Sequence, residues 1–374
     1  MRKTYLAKSE TWIHAEMRNS RRYRKIVLTT RKENLDLFPW PSIFMPADLP
    51  RFSTAWWKDR LARRLLGRES YLEDVCRREQ VRILHAHFGY DAVWALRLKQ
   101  RAHLPLVTTF HGVDLYEPET VTRFAADYAR LFADGERFIV LGHRMREAAM
   151  RLGCAENKLR VIRLAVNLDE WPFSERRPLD GRIRLLFCAR LIDIKGLRHI
   201  LDAMKILADR NVPAELRVIG YLGPVDVPEM DHQAYVRELG IADRVRFLGY
   251  QPQEIFREEL RRAHVFLQPS VTTSAGQIEG SHPTTLVEAQ ATGCPVIATY
   301  HADIPEAVRN GETGLLVEEK KPDQIAEKVR WLLEHEDALR EFGRNARRHI
   351  ELNYNAETEN GKLESLYDEL LAMR

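Results

Sequence analysis

Residues 278–299 read IEGSHPTTLVEAQATGCPVIAT, and this stretch decides the fold. Its opening is polar and turn-forming. From Thr284 to Thr292 the residues suit a helix, with Pro283 placed for the first helical position. Gly293 ends that helix. Pro295–Thr299 is then a short apolar run that reads as a buried strand. Upstream, Val265–Gln268 is a second such run, closed by Pro269 and Ser270. A strand, a loop, a helix and a further buried strand make the repeating unit of a parallel sheet covered on both faces.

The same alternation runs outward in both directions. Toward the N-terminus the apolar runs are Val81–His85, Leu106–Phe110, Arg137–Leu141, Leu159–Leu164, Ile183–Cys188, Ala214–Ile219 and Val245–Leu248, and beyond the opening stretch comes Gly314–Val317. Helical segments such as Asp91–Gln100, Leu197–Asp209 and Pro322–His335 lie between them. Residues 167–181, NLDEWPFSERRPLDG, break the pattern with two prolines, a glycine and many charges, which is linker composition. The expected fold is α/β: two Rossmann-like doubly wound domains facing a cleft. The first spans 1–168 and is completed by a C-terminal helix over 354–374; the second spans 169–353. On that last helix Leu363, Leu366, Tyr367, Leu370 and Leu371 share one face.

Bulk properties agree with two domains. The chain has 374 residues, 45% of them apolar and 30% charged, with a formal net charge of +4. So small a surplus gives no argument for nucleic acid. Four scattered cysteines without a Cys-x-x-Cys spacing fit a reducing compartment and no zinc site. No run approaches the ~20 apolar residues of a membrane span. The charged first twenty residues lack a secretory core, so the expected place is the cytoplasm.

Ligands of open α/β sheets bind beyond the carboxyl ends of the strands. Arg190 and Lys195 follow strand Ile183–Cys188, and a guanidinium with an ammonium can share one diphosphate. Thr284 and Thr285 begin a helix whose free N–H groups suit an anion. Glu288, one turn in, suits the two hydroxyls of a ribose. Glu279 can accept from a sugar hydroxyl. His111 stands at the end of strand Leu106–Phe110, and upstream His85-Ala86-His87-Phe88-Gly89, with His87 in it, repeats the same strand-end pattern. No Asp-x-Asp and no Gly-x-Gly-x-x-Gly occur. The phosphate charge is therefore expected to be met by Arg, Lys and a helix end, with no metal and no other cofactor.

Taken together, Arg190 with Lys195-Gly196, the Glu279-Gly280 to Glu288-Ala289 run, Gly293–Ala298 and Glu312–Val317 resemble the GT4 family of retaining glycosyltransferases, which have the GT-B fold. Ser9–Ile13 and His111-Gly112-Val113-Asp114 resemble its bacterial polysaccharide-biosynthesis members. The resemblance implies roles. Arg190 and Lys195 neutralise a departing nucleoside diphosphate, and Glu288 holds the ribose. Glu279 with Gly280, Ser281 and Pro283 holds the donor sugar, His111 contacts the transferred sugar, and Ser9, Glu10, Thr11, His87 and Asp114 line the acceptor side. It also implies a nucleotide-sugar donor and a glycan or lipid-linked acceptor. Glu279 and Glu288 stand nine positions apart where the family usually spaces eight, and Leu164–Asn167 and Gly220–Pro224 also depart from its pattern.

Two rivals have to be weighed: a sugar-nucleotide epimerase of similar fold, and a protein that binds the nucleotide-sugar without transferring it. Nucleoside diphosphate release with and without an acceptor separates them. A last expectation concerns Ala55–Arg68, AWWKDRLARRLLGR, where Trp57, Leu61 and Leu65 recur every four residues among Lys58, Arg60, Arg63, Arg64 and Arg68. Such a helix suits either its own core or an anionic membrane surface.

Overall fold

The structure, a computed structural model, describes residues 1–8, 10–222 and 230–373. The chain forms two compact units. One is Met1–Leu164 with Ala356–Arg374; the other is Ala165–Asn355. The division falls at Leu164/Ala165 because Val166 already pairs with Asn355 in a parallel bridge. Its N–H donates to Tyr354 O at 3.0 Å, which draws residues 165–168 into the second unit.

Among the described residues the second unit carries six strands: β7 (Ile183–Cys188), β8 (Ala214–Ile219), β9 (Val245–Gly249), β10 (Val265–Gln268), β11 (Val296–Thr299) and β12 (Gly314–Val317). They lie in the order β12-β11-β10-β7-β8-β9, every pair parallel. Counted within the unit this is the Rossmann order, which reverses direction between β7 and β10. Side chains alternate between two cores. Leu185, Phe187, Leu216 and Val265 meet helices Leu197–Asp209 and Pro322–Glu334 on one face. Leu186, Phe266, Val296 and Ala298 meet helices Gln253–Arg262 and Thr284–Ala291 on the other. Helix Leu197–Asp209 folds there because Leu197, Ile200, Leu201, Met204 and Leu207 form one buried stripe.

The first unit has a four-stranded parallel sheet in sequential order, β3 (Leu84–His87), β4 (Leu106–Thr109), β5 (Arg137–Val140) and β6 (Leu159–Val161). Beside it is a two-stranded parallel ribbon of β1 (Val27–Leu28) and β2 (Ile43–Phe44). One face of the larger sheet is filled from helices Ser70–Arg78, Gly89–Ala102 and Pro118–Asp134. On the other, Val107, Ile139 and Ile162 pack against Leu363, Leu366, Tyr367 and Leu370 of helix Ala356–Ala372. β3 begins three residues later than the apolar run from Val81 suggests. Val81 N–H donates to Cys76 O at 2.9 Å and closes the preceding helix. His85 and His87 thus lie inside the strand, two apart, and share one face.

Candidate active site

The reversal between β7 and β10 brings their exit loops together. Arg190 is in the loop after β7, and Lys195 ends the short turn Asp193–Lys195. Gly196 follows with φ of +71°, and a Cβ there would come within 1.9 Å of Pro269 O, so only glycine fits. Val271 N–H donates to Ile194 O at 3.0 Å and fastens the two loops. Here Lys195 Nζ lies 2.7 and 2.8 Å from the two carboxylate oxygens of Glu279. Ser270 Oγ donates to Glu279 Oε1 at 2.9 Å and accepts from Gln268 Nε2 at 3.0 Å. Two residues chosen from the sequence for separate tasks therefore form one partly buried ion pair. The network behind them, Gln268, Ser270, His301 and Glu319, carries no sequence motif. Among these, His301 sits just past the end of β11, so the strand-end reasoning applied to His111 points to it as well.

Glu288 lies in the second turn of helix Thr284–Ala291. Burial pushes its carboxyl up to about 8, Glu170 adds to the shift, and Arg257 opposes it. Thr284 and Thr285 are half-buried at the helix start. Pro283 is not the first helical residue: its ψ of 138° is extended, and it stands just before the helix as the cap. Ser281 and His282 are buried, with Ser281 Oγ 3.2 Å from His282 Nδ1 and the His282 ring edge-on to Tyr354. Gly280 is half-buried between Glu279 and this pair.

In the first unit His111 follows β4, and both of its ring nitrogens are engaged. Trp12 Nε1 donates to Nδ1 at 3.3 Å, and Nε2 lies 3.1 Å from His87 Nδ1. The His87 and His111 rings stack. Burial holds both imidazoles well below the usual range, so they are neutral. Asp114 does not face outward as an acceptor-lining carboxylate would. It is fully buried and takes N–H groups from Gly89 at 2.9 Å, His111 at 3.0 Å and Gly112 at 2.8 Å, fixing the turn that presents His111. Glu10 is similarly inward: it pairs with Arg2 at 3.0 Å and accepts from Ala7 N–H at 2.9 Å. Thr11 is exposed at the start of helix Thr11–Asn19. Ser9 lies outside the described residues, as do Gly223 and Pro224.

Glu16, His85 and His87 put three metal-ligand atoms within 4.8 Å of one another. Both His85 nitrogens are already hydrogen-bonded, to Tyr367 Oη at 2.6 Å and Thr109 Oγ1 at 2.7 Å. A cation would have to displace one of them, so the cluster is better built as a polar seam than as a metal centre.

Comparison with known proteins decides the family. Residues 19–170 match the profile described as Glycosyltransferase Family 4, and residues 169–349 match Glycosyl transferases group 1. The chain belongs to the GT4 glycosyltransferases. This glycosyltransferase is 31% identical over 246 residues to the amylovoran biosynthesis glycosyltransferase AmsK of Erwinia amylovora, a match spanning 65% of the chain and 59% of that relative. It is 26% identical over 340 residues to the D-inositol 3-phosphate glycosyltransferase of Corynebacterium glutamicum, covering 84% and 79%. The glycosyltransferase shares its GT-B fold with Anabaena HepE, solved in complex with UDP and glucose, at a TM-score of 0.75, 17% identity and coverage of 97% and 96%. The lipopolysaccharide outer core galactosyltransferase WaaB superposes at 0.70 with 16% identity, over 99% of this chain and all of that one.

Proposed function

We propose that this glycosyltransferase moves a sugar from a nucleotide-sugar to a hydroxyl of a growing bacterial polysaccharide or its lipid-linked precursor, with retention of configuration and without a metal ion. The observation that carries the reading is the Lys195–Glu279 pair at the sheet's switch point, one cation for phosphate and one carboxylate for hydroxyls. Arg190 and Lys195 stabilise the charge that develops on the departing diphosphate, a task for preorganised cations. Glu288 takes the ribose, and Glu279 with Gly280 takes the donor sugar. His111 is assigned a contact with the transferred sugar. AmsK, named for the biosynthesis of amylovoran, and HepE, solved with UDP and glucose, support the acceptor and donor classes.

The acceptor side includes an anionic membrane surface at the cytoplasmic face. Among the described residues no helix is long and apolar enough to cross a membrane. Contact is assigned instead to helix Thr54–Leu66, whose apolar side chains face outward.

The test is nucleoside diphosphate release from a panel of nucleotide-sugars, with and without a lipid-linked oligosaccharide fraction, in excess EDTA. Acceptor-dependent release should persist under chelation, and Lys195→Ala should lower it by roughly two orders of magnitude with the fold intact. Release that needs added manganese or magnesium overturns metal independence. Turnover of the donor without any acceptor points to epimerase chemistry, and binding without turnover to a binding protein.

A further inference from the structure

His301, just past the end of β11, is buried. Its Nε2 accepts the backbone N–H of Glu279 at 2.9 Å. That nitrogen therefore carries no proton, and in the neutral ring the proton sits on Nδ1. Nδ1 lies 2.7 Å from Glu319 Oε1, the acceptor it needs. The other oxygen of Glu319 accepts the Thr272 N–H at 2.6 Å, and Thr272 Oγ1 adds a bond to Oε1 at 3.3 Å. Burial alone would raise the Glu319 carboxyl, but the Thr272 N–H and His301 hold it below its usual value.

Thr272 and Glu279 stand near the two ends of the loop between β10 and helix Thr284–Ala291. One imidazole and one carboxylate thus tie both ends of this loop to the exits of β11 and β12. The division of labour on Glu279 is clean. Its side chain serves Lys195 and Ser270, while its main chain serves His301. Backbone held in this way defines where the Glu279 carboxylate and Gly280 stand.

We propose that His301 and Glu319 are positioning residues for the donor sugar, acting through the main chain of Glu279 without touching substrate. This rests on the reading that Glu279 and Gly280 hold that sugar.

The test uses the full chain. In a long-range nitrogen-15 histidine spectrum, wild-type His301 should be the Nδ1–H tautomer, and Glu319→Ala should shift its Nδ1 resonance as that N–H loses its acceptor. Titrations then compare each nucleotide-sugar with its own diphosphate, UDP-glucose with UDP and GDP-mannose with GDP. The pair that wild type separates best serves as the probe. His301→Phe and Glu319→Ala should weaken the nucleotide-sugar about tenfold, in the range usual for lost orienting partners, and the diphosphate hardly at all. His301→Gln, whose amide oxygen can still accept the Glu279 N–H, should recover most of the loss. Glu319 is partly exposed, so its variant keeps the test open should His301→Phe unfold. Equal losses for both ligands, unchanged affinities, or no recovery by glutamine overturns the proposal. If wild type fails to separate either sugar nucleotide from its diphosphate, or Glu279→Ala leaves the separation intact, the donor-sugar reading itself falls.

Discussion

Glu288 carries the sharpest consequence at the residue scale. Its carboxyl moves from an ordinary 4.5 up to about 8, chiefly by burial, which favours the protonated form at pH 7. A vicinal diol donates its hydrogens best to a carboxylate. Binding should then favour the deprotonated form and release a proton at pH values below about 8 but above the lowered pKa of the bound carboxyl. The sign follows: nucleotide affinity rises from pH 6 to 8 and levels off above. Calorimetry in buffers of different ionisation enthalpy reads the proton directly, and Glu288→Gln should abolish both the release and the slope. A flat affinity in wild type removes the carboxylate–ribose contact. Lys195 and Glu279 were legible as polar residues at strand exits, because Rossmann sheets use those exits. Their mutual pairing was not, since residues 84 apart meet only once the strand order is known. Asp114 shows the limit on the other side. Its place after a strand is visible in the chain, but the inward turn of its carboxylate onto three N–H groups is not.

At the scale of an element, helix Thr54–Leu66 answers a question its sequence leaves open. An amphipathic pattern says that one side is apolar, never which side faces the protein. Here the inner anchor is polar: buried Asp59 accepts from Tyr71 N–H at 2.9 Å and pairs with Arg63 at 2.6 Å. The apolar residues point out, with Trp57 53%, Leu61 58%, Leu65 66% and Leu66 63% exposed, and Phe52 just upstream 73%. Arg60 lies over the Trp56 ring, and Lys58 pairs with Asp74. Apolar anchors ringed by cations fit an anionic lipid interface. The chain should co-sediment with phosphatidylglycerol-containing vesicles at low salt and less so at high salt. Trp57→Ala with Leu61→Ala should cut partitioning about tenfold or more, given ~1.5–3 kcal/mol for each fully buried side chain. Absence of binding to anionic vesicles at low salt would end the idea. The strands of the second unit were the most legible elements, several matching residue for residue, because they are short and mostly apolar, with β10, β11 and β12 buried at every position. In the first unit β3 slid by three residues, since apolar Val81 serves to close the preceding helix by donating its N–H to Cys76 O and does not start the strand.

For the whole molecule, the second unit is an insertion. Its two ends meet at the Val166–Asn355 bridge, and the chain then returns to the first unit as helix Ala356–Ala372. That helix covers the sheet face of Val107, Ile139 and Ile162. Leu366→Ala should cost about 2–5 kcal/mol, as for other buried leucines, and the loss should fall on the first unit. Scanning calorimetry would show the first unit melting earlier while the second holds, and a uniform shift of both would contradict this. The order of synthesis adds a further constraint. Ribosomes deliver residues from the N-terminus, and domains generally fold as units while they emerge. The second unit is continuous and can close as soon as residue 355 is out. The first cannot, because its sheet waits with one apolar face bare until residues 363–370 arrive, some two hundred positions after Ile162. A nascent chain stalled in that interval has one finished domain and one unfinished, adhesive one, which makes this interval the point at which a chaperone has most to do.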